Sequence, residues 1–142
     1  MDVVKRFRTR NFISPVLDVT YGEFILQVSR FSVVEMATAS RRGEAILREK
    51  GIDPDTAAAN EKIGCLCVAL ADNVVRHIKG WTHTPTDGGE PIPFDSGVAK
   101  ELFSEMNDIE KAMLGIAYIA AQEDDQKKAE SAVIQPQASS SS

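Results

Sequence analysis

The sequence is poor in the residues from which metal sites are built. Its 142 residues include two cysteines, Cys65 and Cys67, and two histidines, His77 and His83. Structural zinc sites normally show paired Cys-x2-Cys or His-x3-His spacings, whereas Cys-x-Cys on a helix points the two thiols to different sides. Cys67 falls on an apolar stripe and is expected to act as a small buried hydrophobe. No metal-binding residue is predicted.

Signatures of catalysis are equally scarce. The sequence contains no Gly-x-Ser-x-Gly nucleophile elbow, no phosphate-binding Gly-x4-Gly-Lys-Ser/Thr loop and no Rossmann fingerprint. His77 is expected to be a satisfied histidine at the core edge, and His83 could act as a base only beside an oriented partner. Asp87-Gly88-Gly89 is interpreted as a turn with positive φ at a glycine. We therefore expect no catalytic or cofactor-binding residues, no cofactor and no enzyme activity.

Long apolar runs and an excess of basic charge are also missing. No window approaches the roughly 18 consecutive apolar residues of a membrane span. Residues 1–6 are not followed by the long apolar segment that a signal peptide contains, so no signal peptide is expected. The 16 lysines and arginines face 21 aspartates and glutamates, for a net charge of −5. This balance argues against specific nucleic-acid binding and against anionic membranes. Two cysteines that cannot readily bridge each other favour a reduced, cytosolic chain.

What is present begins with a β-hairpin. Residues 16–20 and 24–29 are rich in β-branched and aromatic side chains, and Gly22 between them occupies a turn position. An isolated hairpin is marginal in water. We therefore expect it to pack on a helix or to pair with another strand, from this chain or from another subunit.

Helical patterns follow the hairpin. Ser32 and Glu35 form a capping box for a helix over 33–49, which ends at Gly51. Asp53-Pro54-Asp55 is expected to open a central helix over 55–79. Gly64 inside that helix costs about 1 kcal/mol relative to alanine, so a close approach of another element is expected there. The apolar stripe of the central helix comprises Ile63, Leu66, Cys67, Leu70, Val74 and Ile78.

The segment 80–95 is predicted to connect the central helix to two further helices. Trp81 and Phe94 are expected to anchor this connection, and Asp95 or Ser96 to cap a helix over 97–106. A last helix, over 108–121 and capped at Asn107, has one apolar side. That side comprises Ile109, Ala112, Met113, Ile116 and Ala120.

These patterns predict an α+β fold that is mostly α-helical, with an N-terminal β-hairpin, about four helices and a disordered C-terminal tail. The predicted organisation is a basic N-terminal arm (1–14), a single globular domain (15–121) and a flexible polar, Ser-rich tail (122–142). The tail has too little apolar surface to offset the entropy of ordering it.

Interaction surfaces remain as candidate functional features. The interrupted stripe of the 33–49 helix, the open edge of the hairpin and the methionine-bearing helices could each receive a partner segment. Methionine adapts to varied apolar ligands. The residues concerned are Met36, Met106 and Met113. Core packing explains methionines at helical spacing equally well, so this alternative stays open.

A resemblance narrows the functional expectation. Lys79-Gly80-Trp81 is followed by Asp-Gly-Gly-Glu-Pro-Ile-Pro-Phe over 87–94, by a capped helix with Leu102-Phe103, and by Ile-Glu-Lys-Ala-Met over 109–113. In these motifs and their order, residues 79–121 resemble the C-terminal half of the tail assembly chaperones of long-tailed bacteriophages. The general layout of residues 15–121 is similar as well.

The resemblance implies a non-catalytic assembly factor in the host cytoplasm. Such a protein would bind the tape-measure protein, keep its apolar helical surfaces from aggregating, and assist tail-tube assembly, with tail-tube subunits as further partners. It would self-associate as a homo-oligomer. The alternative expectation is a structural tail, neck or connector protein of the virion.

Overall fold

The structure is a computed structural model that describes residues 15–140, with the side chains of 15–131. Its elements follow the predicted α+β order, a hairpin and then helices, with one added strand. They are β1 (Val16–Tyr21), β2 (Phe24–Ser29), α1 (Val33–Glu49), α2 (Ala59–His77), β3 (Ile78–His83), α3 (Ser96–Phe103) and α4 (Asp108–Ser140). The predicted fold class, mostly helical with a hairpin and four helices in the described part of the chain, is confirmed.

The hairpin finds its partner strand within the same chain. β1 and β2 pair antiparallel with Tyr21 opposite Phe24, and Gly22 takes a φ of 59° at the turn. β3 pairs antiparallel with the other edge of β2. Residues 78–79 were predicted to be helical and 80–83 to be connection, and both predictions are wrong. β-Branched and aromatic side chains suit a strand here, and the edge of β2 offers hydrogen-bond partners to their backbone.

The helix starts follow their caps. Ser32 Oγ accepts the Glu35 N–H at 3.1 Å and Glu35 Oε1 accepts the Ser32 N–H at 3.0 Å, which confirms the capping box of α1. The predicted start of α2 at residue 55 is wrong. The Asp53 carboxylate instead accepts the Asp55 N–H at 3.0 Å in a local turn, an interaction that competes with helix formation. Glu61 then accepts the N–H of Ala58, the residue before α2, at 3.2 Å.

The folded region extends beyond its predicted boundary at residue 121. α4 begins where Asn107 and Glu110 cap each other reciprocally, and it continues through Ser140. Asp125 pairs with Arg30 and Ala129 is buried, so residues 122–131 pack on the domain. The predicted basic arm (1–14) and the last two residues of the predicted tail lie outside the described residues.

Glycine sets how closely α2 approaches its neighbours. A Cβ on Gly115 of α4 would lie 2.2 Å from the Cys67 carbonyl oxygen of α2. A Cβ on Gly43 of α1 would lie 3.1 Å from Leu66 Cα of α2. Gly64, where a close approach was predicted, has no atom within 4 Å of the corresponding position. That prediction is wrong, because the small residues that allow contact belong to α1 and α4.

A central anchor of the connection after β3 is Ile92. Trp81 Nε1–H donates to the Ile92 carbonyl at 2.8 Å, and the Ile92 N–H donates to His83 Nδ1 at 2.8 Å. Trp81 is buried and meets Phe94 edge-on with ring centroids 5.0 Å apart. The predicted aromatic anchor is confirmed, and residues 84–95 are held against β3 by side chains rather than by strand pairing.

Two glycine substitutions separate close approach from helix propensity. We expect Gly115→Ala to lower the free energy of unfolding by about 3 kcal/mol or more, because the new methyl meets backbone that cannot move aside. Gly64→Ala adds a methyl in open space and is expected to raise it by about 1 kcal/mol. Urea denaturation followed by Trp81 fluorescence measures both. Similar effects of the two substitutions would contradict the assigned packing of α4 on α2.

The hydrogen bond from Ile92 to His83 can be tested by replacing the ring. His83→Ala leaves the Ile92 N–H without its acceptor, and we expect a loss of about 1–3 kcal/mol in unfolding free energy. Asparagine places an oxygen close to the position of Nδ1, so His83→Asn is expected to be the milder change in urea denaturation. Equal losses would show that ring packing against Phe24, rather than the acceptor, is what His83 contributes.

Candidate partner-binding site

The apolar side of α4 that the sequence pattern identified faces largely outward. Ile109 is 73% exposed, Met113 56% and Ile116 52%, and Ala120 is exposed one turn further on. The buried positions of this part of the helix are Leu114, Gly115 and Tyr118. An apolar surface is therefore left without a partner within the described fold. We call Ile109, Met113, Ile116 and Ala120 the α4 stripe.

Shape and hydrogen bonding select the face of α4 that packs inward. Gly115 is the residue that lets the helix lie against the α2 backbone. Tyr118 is fully buried, stacks on Phe31 with ring centroids 4.1 Å apart, and accepts the Phe31 N–H through its hydroxyl at 2.9 Å. Burial raises the pKa of the Tyr118 phenol. Apolar content alone does not distinguish this face from the stripe, because both sides of 109–121 are apolar.

The α4 stripe continues into a groove between three elements. Ile109 and Ala112 form one wall of a cavity of about 290 Å³, which the end of α1 and the first half of α2 complete. Lys50, Glu61 and Asp108 stand among its lining residues as charged groups. The remaining lining residues are Leu47, Ile52, Gly64, Cys65 and Val68. Apolar surface with a charged rim is typical of protein interaction sites.

The spacing of the stripe suits a helical partner. Residues 109, 113, 116 and 120 follow steps of four, three and four, the spacing of a coiled-coil seam. The stripe is about 16 Å long at the helical rise of 1.5 Å per residue. Met113 was named from the sequence as a candidate partner-receiving residue, and Ile109 and Ile116 were placed on the same side of the helix. One sequence signal indicates that α4 has an exposed apolar face. Apolar residues occur around more of this helix than a single buried face needs.

The other methionines and the α1 stripe contribute less surface. Met36 and Met106 are partly buried and pack against the core. On α1 the buried positions are Ala39, Gly43 and Leu47. Val33, in the first turn of α1, is 86% exposed. β2 is paired on both sides, so the hairpin edge that no strand among residues 15–140 covers is that of β1.

His77 lies beside a carboxylate, but the pair holds the fold together. Its Nε2 contacts Glu35 Oε2, while Glu35 Oε1 accepts the Ser32 N–H. The ring packs on Phe31 with centroids 4.9 Å apart. The pKa of Glu35 is lowered, and the hydrogen bond from the Ser32 backbone is the largest cause. The His77 contact lowers this pKa further, whereas partial desolvation raises it. One carboxylate oxygen thus caps the start of α1, and the other joins it to the end of α2.

The remaining sequence candidates also have structural roles. His83 lies with Nε2 3.8 Å from Glu23, and its Nδ1 is occupied by Ile92. Gly88 has a φ of 78° and the Gly89 N–H donates to Asp87 Oδ1 at 2.9 Å, so the predicted turn is confirmed.

Both cysteines are buried and unbridged. Burial raises the pKa of the Cys67 thiol, which reduces its thiolate fraction near neutral pH. Within residues 15–140, His, Cys, Asp and Glu side chains form no group of three or more that could hold a metal ion. No helix of this same part of the chain is long and apolar enough to cross a bilayer.

Comparisons with protein families, with curated proteins and with solved structures found no match to this chain. Inferences about function therefore depend on the residues and surfaces described above and on the resemblance in residues 79–121.

The Glu35 contacts predict a pH dependence of stability. Because its folded pKa is lowered from 4.5, the stabilisation is fully present above about pH 4.5 and is lost as the pH falls through the lowered folded value. Glu35→Gln keeps the cap geometry without this titration. We expect the difference in unfolding free energy between the wild type and Glu35→Gln to shrink as the pH falls below about 4.5, with Glu90→Gln as a loop control. A difference that stays constant with pH would contradict the assigned contacts.

Proposed function

We propose that this chain is a non-catalytic phage tail assembly chaperone that binds the tape-measure protein and assists tail-tube assembly. The observation that carries the proposal is the α4 stripe, a seam-spaced apolar helix face that the fold leaves exposed. Tape-measure proteins are long and largely helical, and an amphipathic helix binds by laying its apolar face on such a surface. The resemblance of residues 79–121 to tail assembly chaperones supplies the family.

The composition of the stripe suits a succession of related helical segments. A chaperone must hold many apolar stretches of one long client. Met113 is unbranched and polarizable, so it adapts its shape to different side chains, and Ile109 and Ile116 supply apolar area on either side of it. The groove beside Ile109 adds a recess in which one larger side chain of the client can lie.

The partners and the location follow from this proposal. The tape-measure protein is the main client and tail-tube subunits are secondary partners, while self-association uses surface outside the α4 stripe. Binding takes place in the host cytoplasm before tail assembly is complete, and the chaperone does not remain in the mature virion.

Co-expression with the tape-measure protein of the encoding phage tests the proposal. We expect the wild-type chain to co-purify with it and to keep it in the supernatant. In the double variant Met113→Gln/Ile116→Gln, the amount of tape-measure protein that co-purifies is expected to fall at least about tenfold, because two apolar contacts are removed at the seam. Val33→Gln/Val34→Gln is the matched control, since these valines are 86% and 74% exposed on α1.

Two results would contradict the proposal. One is retention of the tape-measure protein that is unaffected by the α4 substitutions. The other is the presence of the chain in purified virions at a ring-related copy number without binding to the tape-measure protein. The second result would assign the chain to the structural neck or connector proteins instead.

A further inference from the structure

Acidic side chains gather at one end of the α4 stripe. Asp108 and Glu110 flank Ile109 in the first turn of α4, and Glu61 stands across the groove on α2; all three are exposed. Lys50 is the single cation among the described lining residues of the groove. The nearest lysine of α4, Lys111, is directed away to Asp72, with Nζ 3.6 Å from its carboxylate.

Local roles account for only part of this charge. Glu61 uses Oε1 for the Ala58 N–H, and Glu110 uses Oε1 for the Asn107 N–H at 3.4 Å. Each of these caps engages one oxygen, and a glutamine would serve as well in a capping box. Glu61 and Asp108 line the groove, whereas Glu110 lies on the opposite flank of Ile109 at helical spacing, so a partner on the stripe can meet negative charge on both sides.

The opposite end of the stripe is mixed in sign. Glu123 and Asp124 follow Ala120, but Lys128 lies 3.3 Å from Asp124 and Lys127 is also exposed. The stripe is therefore electrostatically polar along its length, acidic where α4 begins and nearly balanced where the stripe ends.

We infer that the α4 stripe recognises an amphipathic helix whose apolar face ends in lysine or arginine residues, and that this basic end lies beside Asp108, Glu110 and Glu61. The inference rests on the proposed function, because it uses the same surface, and it adds the charge and the direction of the bound segment. Complementary rim charges guide association and fix the register of a partner.

A second copy of this chain fits the same surface poorly. Parallel alignment of two stripes sets the acidic ends against each other. Antiparallel alignment brings Asp108 and Glu110 of one copy within about a turn of Glu123 and Asp124 of the other. Parallel pairing therefore places like charges together, and antiparallel pairing sets the acidic end against an end of nearly balanced charge, so neither arrangement offers charge complementarity.

Two designed peptides can test the inference. Both are capped helical peptides of about 16 residues with leucines at steps of four, three and four. One carries three lysines at one end of the apolar face, and the other carries three glutamates there. We measure their affinities by fluorescence anisotropy at low and at high salt. At low salt we expect the protein to bind the lysine peptide about tenfold more tightly than the glutamate peptide, because three exposed ion pairs form. This ratio of affinities is expected to shrink at high salt.

Protein variants assign the effect to the named residues. Glu61→Gln/Glu110→Gln keeps both caps and is expected to abolish most of the preference for lysine. Glu44→Gln/Glu90→Gln changes the net charge equally at exposed sites elsewhere and is expected to keep the preference. Met113→Gln/Ile116→Gln is expected to weaken both peptides alike, because it removes apolar contact without altering charge.

The outcomes separate this inference from the proposed function. Equal affinity for the two peptides, no binding of either, or a preference that persists in Glu61→Gln/Glu110→Gln would overturn it. So would sedimentation equilibrium showing a dimer that Met113→Gln/Ile116→Gln converts to a monomer. If the lysine preference is found but the tape-measure protein does not co-purify, the inference stands and the chaperone proposal fails. If the tape-measure protein co-purifies but the peptides show no charge preference, the chaperone proposal stands and the inference fails.

Discussion

The contact between Gly115 and the Cys67 backbone is the constraint on which the rest of the structure depends. At this point α4 lies so close to α2 that a single methyl group would overlap the Cys67 carbonyl. Such proximity fixes the rotation of α4 about its own axis, since only the face that carries Gly115 can turn inward. Interiors packed at native density do not absorb a change of this size by small adjustments.

Polar contacts reinforce the orientation that this packing sets. The Tyr118 hydroxyl receives the Phe31 N–H at the junction between β2 and α1, and Glu35 joins the same junction to the end of α2 through His77. Arg30 pairs with Asp125 one and a half to two turns further along α4. Together these contacts attach the sheet, α1 and α2 to one side of the long helix. Glu35 and His77 thus serve as a connection between elements.

The functional consequence lies on the other side of α4. Because Gly115 and Tyr118 occupy the inward face, Ile109, Met113 and Ile116 are turned to solvent beside a groove. An apolar face with a charged rim is suited to binding a helix, and its acidic end gives a bound helix a direction. The chaperone proposal and the charge inference both use this single surface, but they make separable demands on it.

Local signals in the sequence determined the secondary structure well. The capping boxes at Ser32 and Asn107 and the turn at Gly22 depend on neighbouring residues alone, so their positions could be predicted. β3 could not be predicted at the end of a strong helical pattern, because it exists only where β2 offers an edge.

Which apolar face of α4 is buried was decided by tertiary structure alone. Residues 109–121 are apolar on more than one side, so hydrophobic periodicity favoured the stripe and gave no weight to Gly115. The steric fit of a glycine against a neighbouring backbone depends on the position of α2, and periodicity carries no information about that position. The sequence thus determined the caps of α1 and α4, while the packing of α4 on α2 decided which apolar face of α4 stays exposed.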